Sequence, residues 1–208
     1  MHKTFDNIGS TLEKSGKINE RFVFGAVETT SPQYQLEYQN LIELRRKEGR
    51  RVTFNDGLNL AKRYQPKNRE TQLPENPWNP TKKFPKDLRK MVESELDLKK
   101  GDENRLLFWT TIGSIVDYNF GTDAVLELIP DDITQSSLYV RLDTTINPEK
   151  IKKYAEKHNY NRVIIGEIPD FNENRRIYFD FLRETAQQIC NQFKQMEEES
   201  LSRAKFNI

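Results

Sequence analysis

Two short apolar segments, residues 121–128 and 138–145, constrain the fold of this chain more than any other feature. Each reads as a β-strand, yet each carries an aspartate, Asp123 or Asp143, where a buried strand ordinarily has no charge. An ionised carboxylate in a low-dielectric interior costs several kcal/mol unless a partner neutralises it. The two aspartates therefore predict a shared cation, and with it a divalent-metal site.

Composition limits the class of protein. With 208 residues, 35% hydrophobic and 31% charged, we expect one modest domain with extensions. The net charge of +1 gives no overall indication of nucleic-acid binding. No apolar run approaches the about 18 residues that span a bilayer, and residues 1–6 lack the apolar core of a secretory signal. We expect an intracellular, soluble, cytoplasmic protein without a membrane partner.

The metal ligands are expected to be oxygens. The chain has one cysteine, Cys190, and two histidines, His2 and His158, that lie far apart in sequence. These residues allow neither an internal disulfide nor a Cys/His zinc cluster. Oxygen ligands favour hard divalent cations, so we expect Mg²⁺ or Mn²⁺.

The pattern of apolar residues predicts two regions. Residues 1–33 show no sustained apolar period and predict a mobile or partner-dependent lead-in. Helices are expected over residues 34–47 and after Thr53, whose hydroxyl can cap the second helix together with Asp56. Five prolines in residues 65–85 predict an extended connector. We therefore predict an N-terminal helical and extended region, 1–84, and an α/β domain, 85–208.

The second region predicts an α/β (α+β) fold, a small mixed sheet flanked by helices. We expect helices at about 86–99 and 103–117, strands at 122–129 and 137–144, and a helix starting at Asn147-Pro148. A third strand is expected at 161–168, either central or covered on both faces. A long final helix from about Glu173 carries an apolar stripe, which either packs on the sheet or forms a seam with another subunit or a protein partner.

This order of elements over about 103–168, with Asp123 opening one strand and Asp143 closing the next, resembles the PD-(D/E)XK nuclease superfamily. Gly121-Thr122-Asp123 stands where the family has Pro-Asp, and Asp143-Thr144-Thr145 stands where it has Asp/Glu-X-Lys. The resemblance implies hydrolysis of DNA phosphodiester bonds with Mg²⁺ or Mn²⁺, and catalytic roles for both aspartates. It also implies an acid on the preceding helix, Glu103.

Three other acidic residues each have two possible roles. Strand alternation places Glu127 on the side of Asp123, so it is either a third metal ligand or a solvent-facing residue. Glu103 is either a ligand or a solvated acid that favours the helix dipole. Asp117, predicted near the end of the same helix, either caps a turn or joins the acidic cluster.

The sequence departs from the family at Thr145, where the motif lysine is expected. A threonine hydroxyl can hold water or a phosphate oxygen but brings no charge. Lys150, followed by Lys152 and Lys153, is the nearest lysine that could reach back as a catalytic residue, although these lysines also fit a solvated basic face. The departure leaves a second function open, a catalytically inactive binding or assembly protein with a nuclease fold.

A local excess of basic residues lies in the N-terminal region. Residues 41–70 hold nine basic side chains against four acidic ones, which predicts contact with the phosphate backbone of DNA or else a solvated face. Residues 34–64 also allow a helix-turn-helix DNA-binding regulator, a less favoured function. The residues predicted to bind nucleic acid are Arg45, Arg46, Lys47, Arg50, Arg51, Lys62 and Arg63.

Overall fold

The structure, a computed structural model, describes residues 17–68, 70–132, 134–145, 147 and 161–206. Helices lie on both faces of a small mixed sheet, which confirms the predicted fold class. The described helices are α1 (Lys17–Phe24), α2 (Pro32–Lys47), α3 (Phe54–Arg63), α4 (Lys83–Glu95), α5 (Ile115–Phe120) and α6 (Arg175–Phe206). The described strands are β1 (Leu106–Thr110), β2 (Ala124–Leu128), β3 (Leu138–Thr144) and β4 (Arg162–Ile165).

The strands lie in the order β1-β2-β3-β4. β1 and β2 are antiparallel, as are β2 and β3, whereas β3 and β4 are parallel. A parallel pair needs a crossover connection, and the chain that links β3 to β4 includes the helix predicted from Asn147-Pro148. That predicted helix lies outside the described residues, apart from Asn147.

One face of the sheet forms the main core with α4 and α6. Leu126 and Leu142 of the sheet are buried there with Leu88 of α4. The apolar stripe predicted on the final helix lies in the same core, with Leu182, Ala186, Ile189 and Phe193 all buried and Met196 partly buried against them. The stripe therefore packs within this chain, on the sheet and on α4.

The opposite face is covered by α3 and α5. Leu58 of α3 packs with Ile115 and Val116 of α5 and with Val125 of β2. The predicted cap at Thr53 is confirmed as a capping box, in which Thr53 Oγ1 accepts from the Asp56 backbone N–H and the Asp56 carboxylate accepts from the Thr53 N–H. Both faces of the sheet are thus removed from water.

The predicted helix over 103–117 is wrong. The segment forms a 3₁₀ turn (Glu103–Arg105), then β1, and only afterwards α5. Leucine and aromatic residues dominate β1, and burial alternates along it because its side chains face the two sides of the sheet in turn. Because a helix was predicted over 103–117, strand β1 was not predicted.

Two further predictions need correction. The strand at 161–168 was expected to be either central or covered on both faces; β4 is shorter, Arg162–Ile165, and is the last strand on its side of the described sheet, so it is not central. Its apolar character has another cause, because Val163 and Ile165 are buried against α6. The lead-in prediction is wrong for residues 17–33, where Phe24 and Val27 are buried, whereas residues 1–16 lie outside the described chain.

The proline-rich connector was predicted to be extended, but it turns back on itself, with Lys67 and Pro74 forming an isolated antiparallel bridge, and α4 already begins at Lys83. It is also bonded to the sheet. The Phe108 N–H donates to the Pro77 carbonyl at 2.8 Å, and Gln65 bonds both backbone groups of Thr110. The boundary between residues 84 and 85 remains a prediction. Within the described residues, no helix combines the length and apolar character needed to cross a membrane.

We predict that Gly57→Ala destabilises the protein. A Cβ at position 57 would lie 2.8 Å from Ile115 Cγ2 and 3.0 Å from Val116 Cγ2, so α3 and α5 would have to separate. Overpacking of this kind costs about 1–3 kcal/mol, which outweighs the about 1 kcal/mol that alanine gains over glycine in a helix. Urea unfolding measures the change. Asn59→Ala, at an exposed position on the same helix, is the control and should not destabilise; equal stability of both variants would contradict the prediction.

Candidate active site

The turn between α5 and β2 places Asp123 beside β3. α5 ends at Gly121 in the left-handed conformation (φ 57°), and the chain enters β2 two residues later. Ala124 pairs with Leu142, and the Asp123 N–H donates to the Leu142 carbonyl at 2.8 Å. Asp123 thus lies beside the end of β3 that carries Asp143. The fold therefore brings the two predicted aspartates together.

Asp123 is 5% exposed and tied to the end of β3. Its Oδ2 accepts from the Thr144 N–H and from Thr144 Oγ1, each at 2.6 Å. Burial raises the pKa of the Asp123 carboxyl to about 6; the bonds from Thr144 oppose the rise, and the charges of Asp143 and Asp117 add to it. The raised pKa of Asp123 thus comes mainly from burial of the carboxyl and to a smaller extent from the two neighbouring acids.

Asp143 is 3% exposed and has a cationic neighbour that the sequence analysis missed. Arg162 of β4 places Nη1 3.7 Å from Asp143 Oδ2. The same guanidinium donates through Nη2 to the Phe120 carbonyl at 2.6 Å, at the end of α5. A signal existed in the sequence, because Arg162 opens an apolar strand and raises the same question of neutralisation as the two aspartates.

Asp117 lies in the first turn of α5, at the N-terminal end of this helix and not near its C-terminal end as predicted, because α5 starts at Ile115. Its Oδ2 accepts from the Gly113 N–H at 2.9 Å, and a carboxylate in this position also favours the helix dipole. Both readings of Asp117 hold in part, since it caps a turn and also raises the pKa of Asp123.

Glu127 shares the sheet face of Val125 but is not brought to the aspartate pair. It lies four residues beyond Asp123, about 13 Å along the strand at about 3.3 Å per residue. Its carboxylate is 2.6 Å from Lys62 Nζ and accepts from Trp109 Nε1 and the Tyr139 hydroxyl. Glu127 is neither solvent-facing nor available as a third ligand of the pair.

Glu103 is also separated from the pair. It lies in the 3₁₀ turn before β1, at the end of the sheet opposite Asp123, since Thr110 at the far end of β1 pairs with Ala124. Its Oε2 accepts from the Gly101 N–H at 2.9 Å. The predicted role depended on the helix over 103–117, which does not form.

Thr145, which occupies the position of the motif lysine, contributes a backbone hydrogen bond to the sheet. The Thr145 N–H donates to the Ile165 carbonyl at 2.9 Å and continues the β3–β4 pairing. Lys150, the predicted replacement, and its neighbours Lys152 and Lys153 lie outside the described residues.

The predicted basic patch divides into two groups. Most of its members have acidic partners: Arg45 bonds Asp56 and Glu48, Arg50 bonds Glu48, Arg63 bonds Glu37 and Lys62 bonds Glu127. Arg46, Lys47 and Arg51 are exposed and form no ion pair with another described residue. Of the seven residues predicted to bind nucleic acid, these three therefore offer exposed basic side chains without an acidic partner among the described residues.

Asp123 and Asp143 offer carboxylate oxygens, the kind of donor that a magnesium-type ion takes. Within the described ranges, no three His, Cys, Asp or Glu side chains form a group that could hold a metal. Mg²⁺ commonly uses only one or two protein carboxylates, with water and substrate phosphates completing its coordination. Asp123 and Asp143 supply that number, and a cation between them would offset their repulsion.

No protein-family model matches the chain, and neither a curated protein nor a solved structure matches it. The resemblance to the nuclease superfamily therefore remains a prediction from the sequence, made from the predicted order of elements and from Asp123 and Asp143.

We predict that Asp123→Asn stabilises the metal-free protein at pH 7. Because the folded pKa of Asp123 lies above its ordinary value of 3.8, the folded protein holds this proton more tightly than the unfolded chain does. Stability through this group therefore falls as the pH rises from about 4 to about 6, by about 3 kcal/mol in total.

Urea unfolding in EDTA at several pH values measures this effect. The variant should match wild type below pH 4 and exceed it at pH 7. Asp132→Asn is the control, because local bonds from Thr134 lower the pKa of Asp132 and no gain at pH 7 is expected. A difference between Asp123→Asn and wild type that does not vary with pH would refute the assignment.

Proposed function

We propose that this protein is a metal-dependent nuclease-like enzyme that hydrolyses DNA phosphodiester bonds, with Asp123 and Asp143 as ligands of Mg²⁺ or Mn²⁺. The observation that carries the proposal is the position of these two buried acids, side by side at the ends of adjacent strands. No other pair of strand positions brings buried acids together in the described sheet.

The topology supports the proposal. The resemblance noted in the sequence implies a helix, a small mixed sheet and a crossing segment, with the signature acids on neighbouring strands. Here α4 precedes three antiparallel strands, and the chain then crosses to β4, which is parallel to β3. Asp123 directly precedes β2 and Asp143 is the penultimate residue of β3, positions that support the resemblance to the signature.

The residues of the site have distinct tasks. Thr144 fixes the Asp123 carboxylate through two hydrogen bonds, and Arg162 holds a positive charge beside Asp143. A divalent cation bound by the two acids would polarise a phosphoryl oxygen and lower the pKa of a bound water. Thr145 can hold a water or a phosphate oxygen, and Lys150 is proposed to supply the charge of the motif lysine.

The open part of the basic patch supports DNA as the substrate. Arg51 is exposed three residues before Phe54, and the Phe54 ring lies 5.6 Å from Phe120 and 5.2 Å from Arg141 Cζ. The loop that carries Arg51 therefore approaches the sheet face of Asp143. A DNA strand that reaches the aspartates would pass close to this loop.

A catalytically inactive binding or assembly protein is the second candidate. It is favoured by Thr145 in the lysine position and by the guanidinium already placed at Asp143. A helix-turn-helix regulator has less support, because α3 buries Gly57, Leu58, Leu60 and Ala61 and offers few free positions to a DNA groove. A homo-oligomer or protein partner at the final helix and a cytoplasmic location remain predictions.

We expect wild-type protein to cleave plasmid DNA with Mg²⁺ or Mn²⁺ and to lose cleavage in EDTA. Asp143→Asn should reduce the rate about 100-fold or more, because even residues behind metal ligands are worth 10–100-fold in affinity or activity. Glu103→Gln, at the other end of the sheet, should cleave like wild type. If wild-type protein binds DNA but cleaves it neither with Mg²⁺ nor with Mn²⁺, the result favours the second candidate, a catalytically inactive binding protein.

We expect the triple variant Arg46→Gln, Lys47→Gln, Arg51→Gln to bind a DNA duplex more weakly and with less salt dependence. Each lost phosphate contact reduces the slope of log K against log salt by about 0.9. The matched control removes the same charge from exposed Lys90, Lys99 and Lys100 on or after α4. Fluorescence anisotropy of a labelled duplex at several salt concentrations measures these slopes. Equal slopes for the two triple variants would show that Arg46, Lys47 and Arg51 do not contact the DNA backbone.

A further inference from the structure

Arg162 and Arg141 stand side by side next to the aspartate pair. The β3–β4 register pairs Arg141 with Arg162, so both side chains lie on the sheet face of Asp143. The Arg162 side chain is 9% exposed, and that of Asp143 is 4% exposed. A guanidinium stays charged at any pH at which the protein is folded. The neighbourhood of Asp143 is therefore permanently positive on one side.

The contacts of Arg162 hold it in this position. Nη2 donates to the Phe120 carbonyl at 2.6 Å while Nη1 lies 3.7 Å from Asp143 Oδ2. Gly121 lets the chain pass close to the same carboxylate, since a Cβ there would lie 3.9 Å from Asp143 Oδ2. Arg162 thus links the end of α5 to β3, and it cannot move away from Asp143 without losing its bond to Phe120.

The acids of this region are partly offset by arginines before any cation binds. Asp123, Asp143 and nearby Asp117 are the acids, and Arg141 and Arg162 are the two arginines. A divalent cation at the aspartates would be repelled by Arg162 across a few ångströms of poorly solvated space. The anionic oxygens of a phosphodiester next to Arg162 would offset that repulsion.

We propose that Arg162 is the resident countercharge of Asp143, which weakens the binding of a divalent cation until a phosphodiester contributes negative charge to the site. The inference rests on the proposed function and deepens it, because it makes the binding of cation and DNA mutually dependent. Arg162 acts as a positioning residue through Asp143. The coupling is reciprocal, so the cation must strengthen DNA binding by the same factor by which DNA strengthens cation binding.

Titration of free protein with Mn²⁺, followed by electron paramagnetic resonance, tests the first part. Arg162→Gln should bind Mn²⁺ about tenfold more tightly than wild type or better. Arg162→Lys keeps the charge and should stay near wild type. Arg105→Gln is the matched control, an arginine paired with Asp102 and Asp131 at the other end of the sheet, and should leave Mn²⁺ affinity unchanged.

The second part is tested by anisotropy of a labelled DNA duplex in EDTA and in Ca²⁺. Addition of Ca²⁺ should strengthen DNA binding by wild type more than by Arg162→Gln. If Arg162→Gln does not fold, Arg141→Gln replaces it and should also bind Mn²⁺ more tightly than wild type.

The possible failures are distinguishable. Wild type and Arg162→Gln that bind Mn²⁺ equally would overturn the countercharge and leave the proposed nuclease function standing. A lower Mn²⁺ affinity in folded Arg162→Gln would also overturn it, and would make Arg162 a support of the ligand. Failure of every variant to bind Mn²⁺, together with absence of cleavage, would remove both the inference and the proposed function.

Discussion

Helices cover both faces of the sheet, so a charged side chain on it must find its opposite charge inside the protein. Lys62 reaches Glu127 on one face, and Arg89 on the other face bonds Glu93 and the Leu106 carbonyl. Such pairs add little to stability overall, because the attraction is largely offset by desolvation, but removal of one partner is costly. This constraint decides which acids are already neutralised and which are available for a ligand.

Local signals in the sequence were sufficient for much of the fold. The cap at Thr53 is set by neighbouring Asp56, and α3 begins where that cap predicts. α2 begins at Pro32, two residues before the start predicted from the apolar pattern. β2 and β3 were recognised because they are apolar runs ended by turns. β1 was missed because a run of five residues that ends in Phe-Trp-Thr fits a helix or a strand equally well, and only its pairing with β2 decides between them.

The candidate site was predictable only in part, for a related reason. Asp123 and Asp143 were found because a charge on a buried strand demands an explanation. Their meeting depends on the β2–β3 register, which the alternation of side chains already suggests. The partners of Glu127 and the contact between Arg162 and Asp143 depend on long-range packing of α3 and β4. No spacing in the sequence specifies these contacts, so Glu103 and Glu127 were grouped with acids that they do not approach.

Glu127 and Asp143 show how the same demand for neutralisation has two different outcomes. Lys62 offers Glu127 a compact ammonium that lies between the Trp109 and Tyr139 rings, at 5.3 and 4.9 Å from their centroids. That carboxylate has a charge partner and two further donors, so a metal ion would have to displace a complete set of contacts. Asp143 lies beside a guanidinium instead, with Arg162 Nη1 3.7 Å from its Oδ2 while Nη2 donates to the Phe120 carbonyl. The ammonium at Glu127 is enclosed by aromatic rings, whereas the guanidinium at Asp143 joins a strand to the end of α5, and this difference in surroundings is the basis on which the phosphodiester and divalent-ion site is proposed at Asp143 and not at Glu127.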